Sequence, residues 1–414
     1  MPLGKQFAGM WTLTQQMQAR ASEVWTGIFV PAIVASGELY SWGKNNEGQI
    51  GINSGTPNFS SPVQIGTTDW ALVGSGQYHS FATKTDGSLW TWGRNQTNGE
   101  LGLNDTIRRS SPTQVGSGYD WPTTGSLPDH KEGNTFVIKP NGTLWAWGYN
   151  TQASQLGLGD NENRSSPTQV GALTNWAHVS GGVTAFTGAV KTDGTLWSWG
   201  NSVGGQLGNN TSTPDKNSPI QIGTDTNWSK VYKGQGSSVA IKTNGTIWAW
   251  GGNLYGGGSK GAVGDNTNTI ASSPVQIGTD TNWASVAIFN YEPGAMAIRT
   301  TGSLWVWGSG NSSGRFGLNA VGASNISSPT QVGALTTWSM VSGHNYQTGA
   351  IKTDGTLWTW GQGSSGAIGD GTVINRSSPV QIGSDTTWNT IRVTDGHMMA
   401  TKNVVIGVPG YFTY

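Results

Sequence analysis

The sequence predicts an all-β fold, a seven-bladed β-propeller of repeats about 50 residues long with a short N-terminal helical segment. Three observations carry this. Gly-x-Leu-Trp-x-Trp-Gly, or a close variant, starts at Gly37, Gly87, Gly142, Gly194, Gly245, Gly302 and Gly355, so the period runs 50, 55, 52, 51, 57 and 53 residues. Ser-Pro-x-Gln-Ile/Val-Gly recurs seven times, with prolines at Pro62, Pro112, Pro167, Pro219, Pro274, Pro329 and Pro379. A further tryptophan follows in each unit, at Trp70, Trp121, Trp176, Trp228, Trp283, Trp338 and Trp388, which leaves only Trp11 and Trp25 outside the period. A chain of 414 residues would otherwise suggest two or three domains, but a fixed internal period takes precedence over length.

Residues 1–26 stand outside the period and are expected to form an anchor or docking segment. Phe7, Met10, Met17, Ala21 and Val24 follow helical spacing, and Thr12 with Gln15 fits a capping box ahead of Gln16 to Ala21. An isolated helix of this length is marginal in water, so its apolar face needs the propeller or another chain to cover it. Residues 27–403 are expected to be the propeller, and 404–414 a tail.

Within each unit a short strand of the Ala-Ile-Lys type leads into a turn: Asp86-Gly87, Asn141-Gly142, Asp193-Gly194, Asn244-Gly245 and Asp354-Gly355, with Ser36-Gly37 and Thr301-Gly302 as weaker versions. Asx-Gly between apolar runs signals a two-residue hairpin loop in which both positions take positive φ. The Leu-Trp-x-Trp strand then puts both rings on one face and Leu on the other, as a strand covered on both sides would. A Gly-rich loop ending in Gly-Gln-Leu-Gly or a relative follows, as at Gly48 to Gly51 and Gly205 to Gly208. The Ser-Pro strand comes next, with its proline at a strand start or on an edge, where the missing N–H does least harm. Four short strands per unit, seven times over, read as blades that bury their faces against one another.

The register also predicts how the ring closes. The first hairpin, Ala32 to Gly43, lacks two companion strands, which are expected from the C-terminus at Pro379 to Ile382 and Trp388 to Val393. The chain ends would then meet in one mixed blade. Met399-Ala400-Thr401-Lys402 resembles the inner strand that Ala32 to Ala35 would supply, and the two stay as alternatives.

From about Val30 to Lys402, these motifs at this spacing resemble the repeats of the regulator of chromosome condensation superfamily. The resemblance implies a seven-bladed propeller. It also points to two activities of that superfamily, ultraviolet-B photoreception in plants and nucleotide exchange on a small GTPase. The Gly-Trp-Arg-His-Thr string of the photoreceptor is absent from this chain. Exchange depends on contacts outside the repeat pattern, so neither activity carries over residue by residue.

Composition removes several function classes. With 22 basic and 22 acidic residues the formal charge is zero, so no global field attracts nucleic acid or an anionic membrane. The absence of cysteine excludes disulfides, thiolate metal sites and cysteine nucleophiles. Met1 to Arg20 lacks the charged start and apolar run of a secretory signal, and the most apolar stretch, Gly27 to Ala35, is too short to span a bilayer and contains Pro31.

Motifs for chemistry are equally sparse. There is no phosphate loop and no His-Glu-x-x-His, and Gly256-Gly257-Gly258-Ser259-Lys260 reads as a loop insertion. Gly310-Asn311-Ser312-Ser313-Gly314 matches Gly-x-Ser-x-Gly but follows a Trp strand, not a strand-to-helix elbow. The five histidines fall in different repeats without metal-ligand spacing. Asp105, Asp160, Asp265 and Asp370 supply one carboxylate per unit, which suits Asx-turn capping better than calcium. Lys84, Lys139, Lys191, Lys242, Arg299, Lys352 and Lys402 recur at matching places and would form a ring of cations. Their stems are expected to cover tryptophan faces and their heads to meet the turn aspartates, with an anion-binding rim as the alternative.

A non-enzymatic protein without cofactor or metal is therefore expected. Gly9-Met10-Trp11-Thr12-Leu13 with Gln15, Gln16 and Gln18 is similar to the opening segment of structural proteins of tailed bacteriophages. That similarity implies a virion protein of tail, fibre or baseplate, assembled in the host cytoplasm and serving host attachment. Other virion proteins would meet Phe7, Met10, Trp11 and Met17, while irregular loops carrying Tyr119, Tyr255 and Lys260 would meet a host surface receptor. Neither nucleic acid nor membrane insertion is expected, and a homo-oligomer stays open. The alternative is a cellular propeller adaptor or a small-GTPase regulator.

Overall fold

The computed structural model describes residues 34–405 apart from 97, 126, 128–132, 253–260, 262, 268, 291–292, 311–312, 321 and 323–324. The expected N-terminal helix and C-terminal tail lie outside the described residues. Ser36–Val404 form the propeller unit.

Its repeating element is a four-stranded antiparallel sheet in chain order. The fifth blade shows it plainly: Trp228–Lys233, Ser237–Lys242, Ile247–Gly251 and Ala271–Gln276 lie side by side. The fourth blade runs from Trp176–Gly181 to Lys216–Gln221, the sixth from Trp283–Ile288 to Ile326–Gln331, and the seventh from Trp338–His344 to Arg376–Gln381. In the third blade Asn134–Ile138, Leu144–Gly148 and Arg164–Gln169 pair, and the described residues around Trp121 form no strand. Pro122 removes a ladder donor there, while Trp121 itself stays buried.

One seven-stranded sheet holds the other two blades, because Phe59–Ser75 runs through both. Its first part pairs with Val34–Gly43 and its last part with His79–Lys84. The second blade continues through Leu89–Gly93 and Arg109–Gln114. The closing blade is ordered Trp388–Val393, His397–Val405, Val34–Gly43 and then the start of Phe59–Ser75. The two chain ends do meet in one blade, with Trp388–Val393 in it as expected but without the other expected strand. Pro379 to Ile382 is not in it, since Arg376–Gln381 pairs with Leu357–Gly361 of the seventh blade. The inner place goes to the strand containing Met399 to Lys402. The reason is visible at Lys402, whose ammonium lies 4.3 Å from the Tyr40 ring centroid, 4.4 Å from that of Trp388, and 2.6 Å from the Asp385 carboxylate. Ala32 to Ala35 carries no such cation.

The Asx-Gly turns also differ from expectation. Gly87 N–H donates to the Lys84 carbonyl, and of Thr85, Asp86 and Gly87 only the glycine has positive φ, +83°. This is a three-residue loop, a type I turn followed by a glycine bulge. Asp86 Oδ1 accepts the Ser88 N–H at 2.8 Å and the Ser88 hydroxyl at 2.6 Å, which fixes the turn without a left-handed aspartate.

Among the described residues, seven apolar clusters each join two successive blades. At the ring's closure Trp42, Met398 and Ala400 pack with Leu357 and Ile368. The second tryptophan of each Leu-Trp-x-Trp strand, together with Trp42, has no exposed surface. Burying an indole is worth on the order of 5 kcal/mol as an upper bound, so these rings dominate the interfaces. Each described pair is also hydrogen-bonded. Trp42, Trp92, Trp147, Trp199, Trp250 and Trp360 donate Nε1–H at 2.8–3.0 Å to the carbonyls of Ala367, Gln49, Glu100, Gln155, Gln206 and Arg315 in the preceding blade. The Gly-Gln-Leu-Gly loop exists to offer that carbonyl. Its last glycine lies under the ring: Gly157 has φ +75°, and a Cβ there would stand 2.6 Å from Trp199 Nε1.

Candidate functional site

The repeated cations come first, because they looked like a site. Each of the seven lies over two rings, within 3.5–4.8 Å of the first centroid of its Leu-Trp-x-Trp pair or of Tyr40. Five also meet an aspartate at 2.5–3.0 Å: Lys84–Asp69, Lys139–Asp120, Lys242–Asp225, Arg299–Asp280 and Lys402–Asp385. The partners are thus not the turn aspartates. Those are occupied: the Thr195 and Thr356 hydroxyls donate to Asp193 and Asp354, holding both carboxyls below the usual range. The same hydroxyls accept from Trp197 and Trp358 at 2.8 and 2.9 Å. Turn, tryptophan and cation form one structural rung.

Other recurring polar residues are likewise consumed by the fold. Asp105, Asp160, Asp265 and Asp370 accept the backbone N–H two residues on, closing Asx turns at 2.9–3.0 Å. His79 Nε2 bonds Thr135 Oγ1 at 2.9 Å, and His397 Nε2 bonds Ser80 Oγ at 3.2 Å, both buried. Among the described residues no group of three or more His, Cys, Asp or Glu could hold a metal.

The centre of the ring is different. Six blades contribute to one cavity of about 250 Å³. The innermost strands alternate, so residues two and four places after the blade-opening tryptophan face inward. At the first of these places stand His178, Lys230, Ser285 and Met340; at the second stand Tyr232 and Arg392. Equivalent positions therefore carry a base, a cation, a hydroxyl and a thioether, which no packing rule of the repeat requires. Among the described residues no carboxylate lines the cavity. Lys230 is exposed and makes no ion pair among the described residues. Arg392 is 6% exposed and reaches from the closing blade to donate to the Leu127 carbonyl of the third at 3.0 Å. Burial, with the Lys230 ammonium beside it, pushes the His178 imidazole pKa down, so the ring is neutral. It takes the Val231 N–H on Nδ1 at 3.5 Å and meets Tyr232 edge-on at 5.3 Å. The exposed Lys230 ammonium at this recess can meet a carboxylate.

Of the residues expected from the sequence to meet a partner, only Tyr119 is described. It is 62% exposed, ahead of Trp121 and away from the cavity lining. Phe7, Met10, Trp11, Met17, Tyr255 and Lys260 lie outside the described residues. Lys230, Tyr232 and Arg392 were missed. Their signal was present as alternation after Trp228 and Trp388, but it reads only as an inward face.

A family model described as the regulator of chromosome condensation (RCC1) repeat matches residues 36–83, 86–121, 141–186, 193–241 and 354–400, and a second model of that repeat matches 70–100. The ultraviolet-B receptor UVR8 of Arabidopsis thaliana is 32% identical over 232 residues, 53% of this chain and 50% of the receptor. The mitochondrial RCC1 domain-containing protein RUG3 of the same plant is 28% identical over 322 residues, 75% of this chain and 69% of that protein. The human E3 ubiquitin-protein ligase HERC2 is 26% identical over 386 residues, 88% of this chain but 8% of the ligase. The chain thus spans about half the length of the receptor. Among solved structures, human WBSCR16 superposes with a TM-score of 0.75 at 16% identity, over 90% of this chain and 100% of that one. Prp20p of Saccharomyces cerevisiae gives 0.73 at 17% identity, over 90% and 92%.

These relatives overturn the virion reading. They are cellular proteins of plants and mammals, aligned over half to nine-tenths of the chain. The phage similarity rested on about 25 glutamine-rich residues, too few to outweigh hundreds. A place in tail, fibre or baseplate, virion partners, a host receptor and a virion location fall with it.

Proposed function

The chain belongs to the regulator of chromosome condensation repeat family, and from that premise we propose that it is a non-catalytic propeller that binds another protein, taking an acidic segment of it into the central cavity. The cellular adaptor named above as the alternative becomes the leading reading. One observation carries it: Lys230 stands exposed at a recess of about 250 Å³ that no carboxylate lines among the described residues. That volume is below the usual range for a drug-sized ligand, roughly 300–1,000 Å³, and suits one or two side chains of a loop. The repeat supports the same reading from the other side, because its tryptophans join successive blades while its turn aspartates and five of its rung cations are paired within their own blades. Polar groups that remain after the fold is accounted for are the ones available to a partner.

No helix among the described residues is long and apolar enough to cross a membrane. The ligase HERC2 matches over only 8% of its length, so its activity is a property of that protein. Prp20p has been described by its binding to Gsp1p and histones, and at 17% identity it shares the fold with this chain.

The test is site-directed photo-crosslinking in the cell of origin, with the photoreactive residue at Ser285 in the cavity or at Ser328 on an outer strand. Adducts to an acidic stretch of another polypeptide should form from position 285 and disappear with Lys230→Glu. Adducts indifferent to Lys230→Glu, or equal from both positions, would defeat the proposal.

A further inference from the structure

The rung of the fourth blade is incomplete. In the fifth, sixth and closing blades the carboxylate sits three residues before the blade-opening tryptophan, as Asp225, Asp280 and Asp385; in the second and third it sits one residue before, as Asp69 and Asp120. In the fourth and seventh blades the third residue back is Leu173 and Leu335, and the first back is Asn175 and Thr337. Lys191 and Lys352 accordingly make no ion pair among the described residues, and the turn carboxylates of Asp193 and Asp354 act on them only through space. Their ammonium groups lie 3.5 and 3.7 Å from the first tryptophan centroid, against 4.0–4.8 Å where an aspartate is present. Without an ion-paired carboxylate, the cation settles closer to the ring.

The leucines do not substitute for the missing acid by burying themselves. Leu173 is 44% exposed and Leu335 47%. Beside Leu173 lies a cleft of about 260 Å³, walled by Trp176, Trp197, Gly171 and Pro219. Lys191 does not itself line the cleft, but its ammonium lies over the same two indoles, 3.5 Å from the Trp197 centroid and 5.0 Å from that of Trp176. Burial of the Lys191 ammonium lowers its pKa, and the turn carboxylate of Asp193 only partly offsets this. Five sister blades show what completes the arrangement, a carboxylate at 2.5–3.0 Å from the cationic nitrogen.

We infer that the fourth-blade rung is a docking site for a protein partner that supplies the missing carboxylate from an acidic side chain flanked by apolar ones. The acid pairs with Lys191, and its apolar neighbours cover Leu173 and enter the cleft. Lys352 with Leu335 repeats the arrangement in the seventh blade. The site is independent of the central cavity, since neither Leu173 nor Lys191 lines it.

The experiment uses the whole chain labelled with ¹⁵N at its tryptophan indoles, titrated with acetyl-Ala-Leu-Glu-Leu-Ala-amide and with the same peptide carrying Gln for Glu. The Trp176 and Trp197 indole signals should shift saturably with the Glu peptide, and at least about tenfold more weakly with the Gln peptide. Trp248, whose rung already holds Asp225, should stay still. Leu173→Asp copies the sister blades, so it should fold with an unchanged indole pattern elsewhere and lose the peptide at least about tenfold. Lys191→Met should lose it too, read at the same two indoles. Wild-type affinity in Leu173→Asp or in Lys191→Met would overturn the inference. So would equal shifts at Trp248, equal binding of the Gln peptide, or the same response to acetate alone.

Discussion

Two glycine-to-alanine changes, Gly157→Ala and Gly171→Ala, separate the cost of backbone strain from the cost of moving an anchoring tryptophan. Gly157 and Gly171 both have left-handed backbones, with φ +75° and +61°. An alanine in that region costs roughly 1–2 kcal/mol. At Gly171 nothing lies within 4 Å of the added Cβ, so strain should be the whole effect. At Gly157 the Cβ would stand 2.6 Å from Trp199 Nε1 and 3.0 Å from its Cδ1. Trp199 has no exposed surface and donates to the Gln155 carbonyl at 2.8 Å, so it cannot swing into solvent. Overpacking of a tight core adds roughly 1–3 kcal/mol, and losing the indole bond adds about 1 more. Gly157→Ala should therefore destabilise by about 4 kcal/mol and Gly171→Ala by about 1.5 kcal/mol. Urea unfolding followed by far-ultraviolet circular dichroism measures both, with the Trp199 indole resonance as a local probe. Equal destabilisation of the two variants, to within about 0.5 kcal/mol, would refute the claim that this glycine serves the interblade tryptophan.

Two further changes probe the polar groups. Thr195→Val removes the hydroxyl that donates to Asp193 and accepts from Trp197, and should cost about 1 kcal/mol at neutral pH. The Thr195 hydroxyl holds the Asp193 pKa below the usual range, so that group's stabilisation is present above the ordinary carboxylate pKa and lost as pH falls through the lower folded value. In the variant the Asp193 titration, followed by ¹³C NMR, should move up toward the ordinary value; an unmoved titration would contradict this. Lys233 is fully buried between the fourth and fifth blades, with Nζ donating to Ser238 Oγ at 2.9 Å and Ser198 Oγ at 3.2 Å. Burial drives its pKa well down, so the unfolded chain binds more protons and stability rises with pH up to the ordinary lysine range. Lys233→Met should raise stability at pH 7 by about 1–3 kcal/mol and flatten that alkaline rise, and a destabilised variant with the rise intact would show the reasoning wrong.

How much of this was legible in the sequence depends on how local each feature is. The Leu-Trp-x-Trp strands and Gly-Gln-Leu-Gly loops were readable because each is encoded within a few residues and repeated. Their connection was not, since Trp199 meets the Gln155 carbonyl 44 residues away in the chain. The rung cations were correctly read as lying on tryptophan faces. Their acids were misassigned to the turns because Asp69 and Asp120 precede the tryptophan by one residue while Asp225, Asp280 and Asp385 precede it by three. A fixed offset cannot see a partner that changes register. Ring closure went astray for a related reason: the Ser-Pro motif at Pro379 looks the same whether it ends the seventh blade or joins the closing one. The candidate site was the least legible. Lys230 and Arg392 lie 162 positions apart, and only closure of the ring brings them into one cavity.

The central cavity depends on a ring held shut by Val34–Gly43 and His397–Val405 in one blade. Native-state hydrogen exchange tests that most directly. Amides within Leu39 to Trp42 and Met398 to Thr401 belong to one blade, so they should open only with the same free energy as the inner strands of the fifth blade, such as Val239 to Ile241. If instead those two segments exchange as loosely held ends while the fifth blade stays protected, the ring is not closed in this way and the central cavity loses its wall.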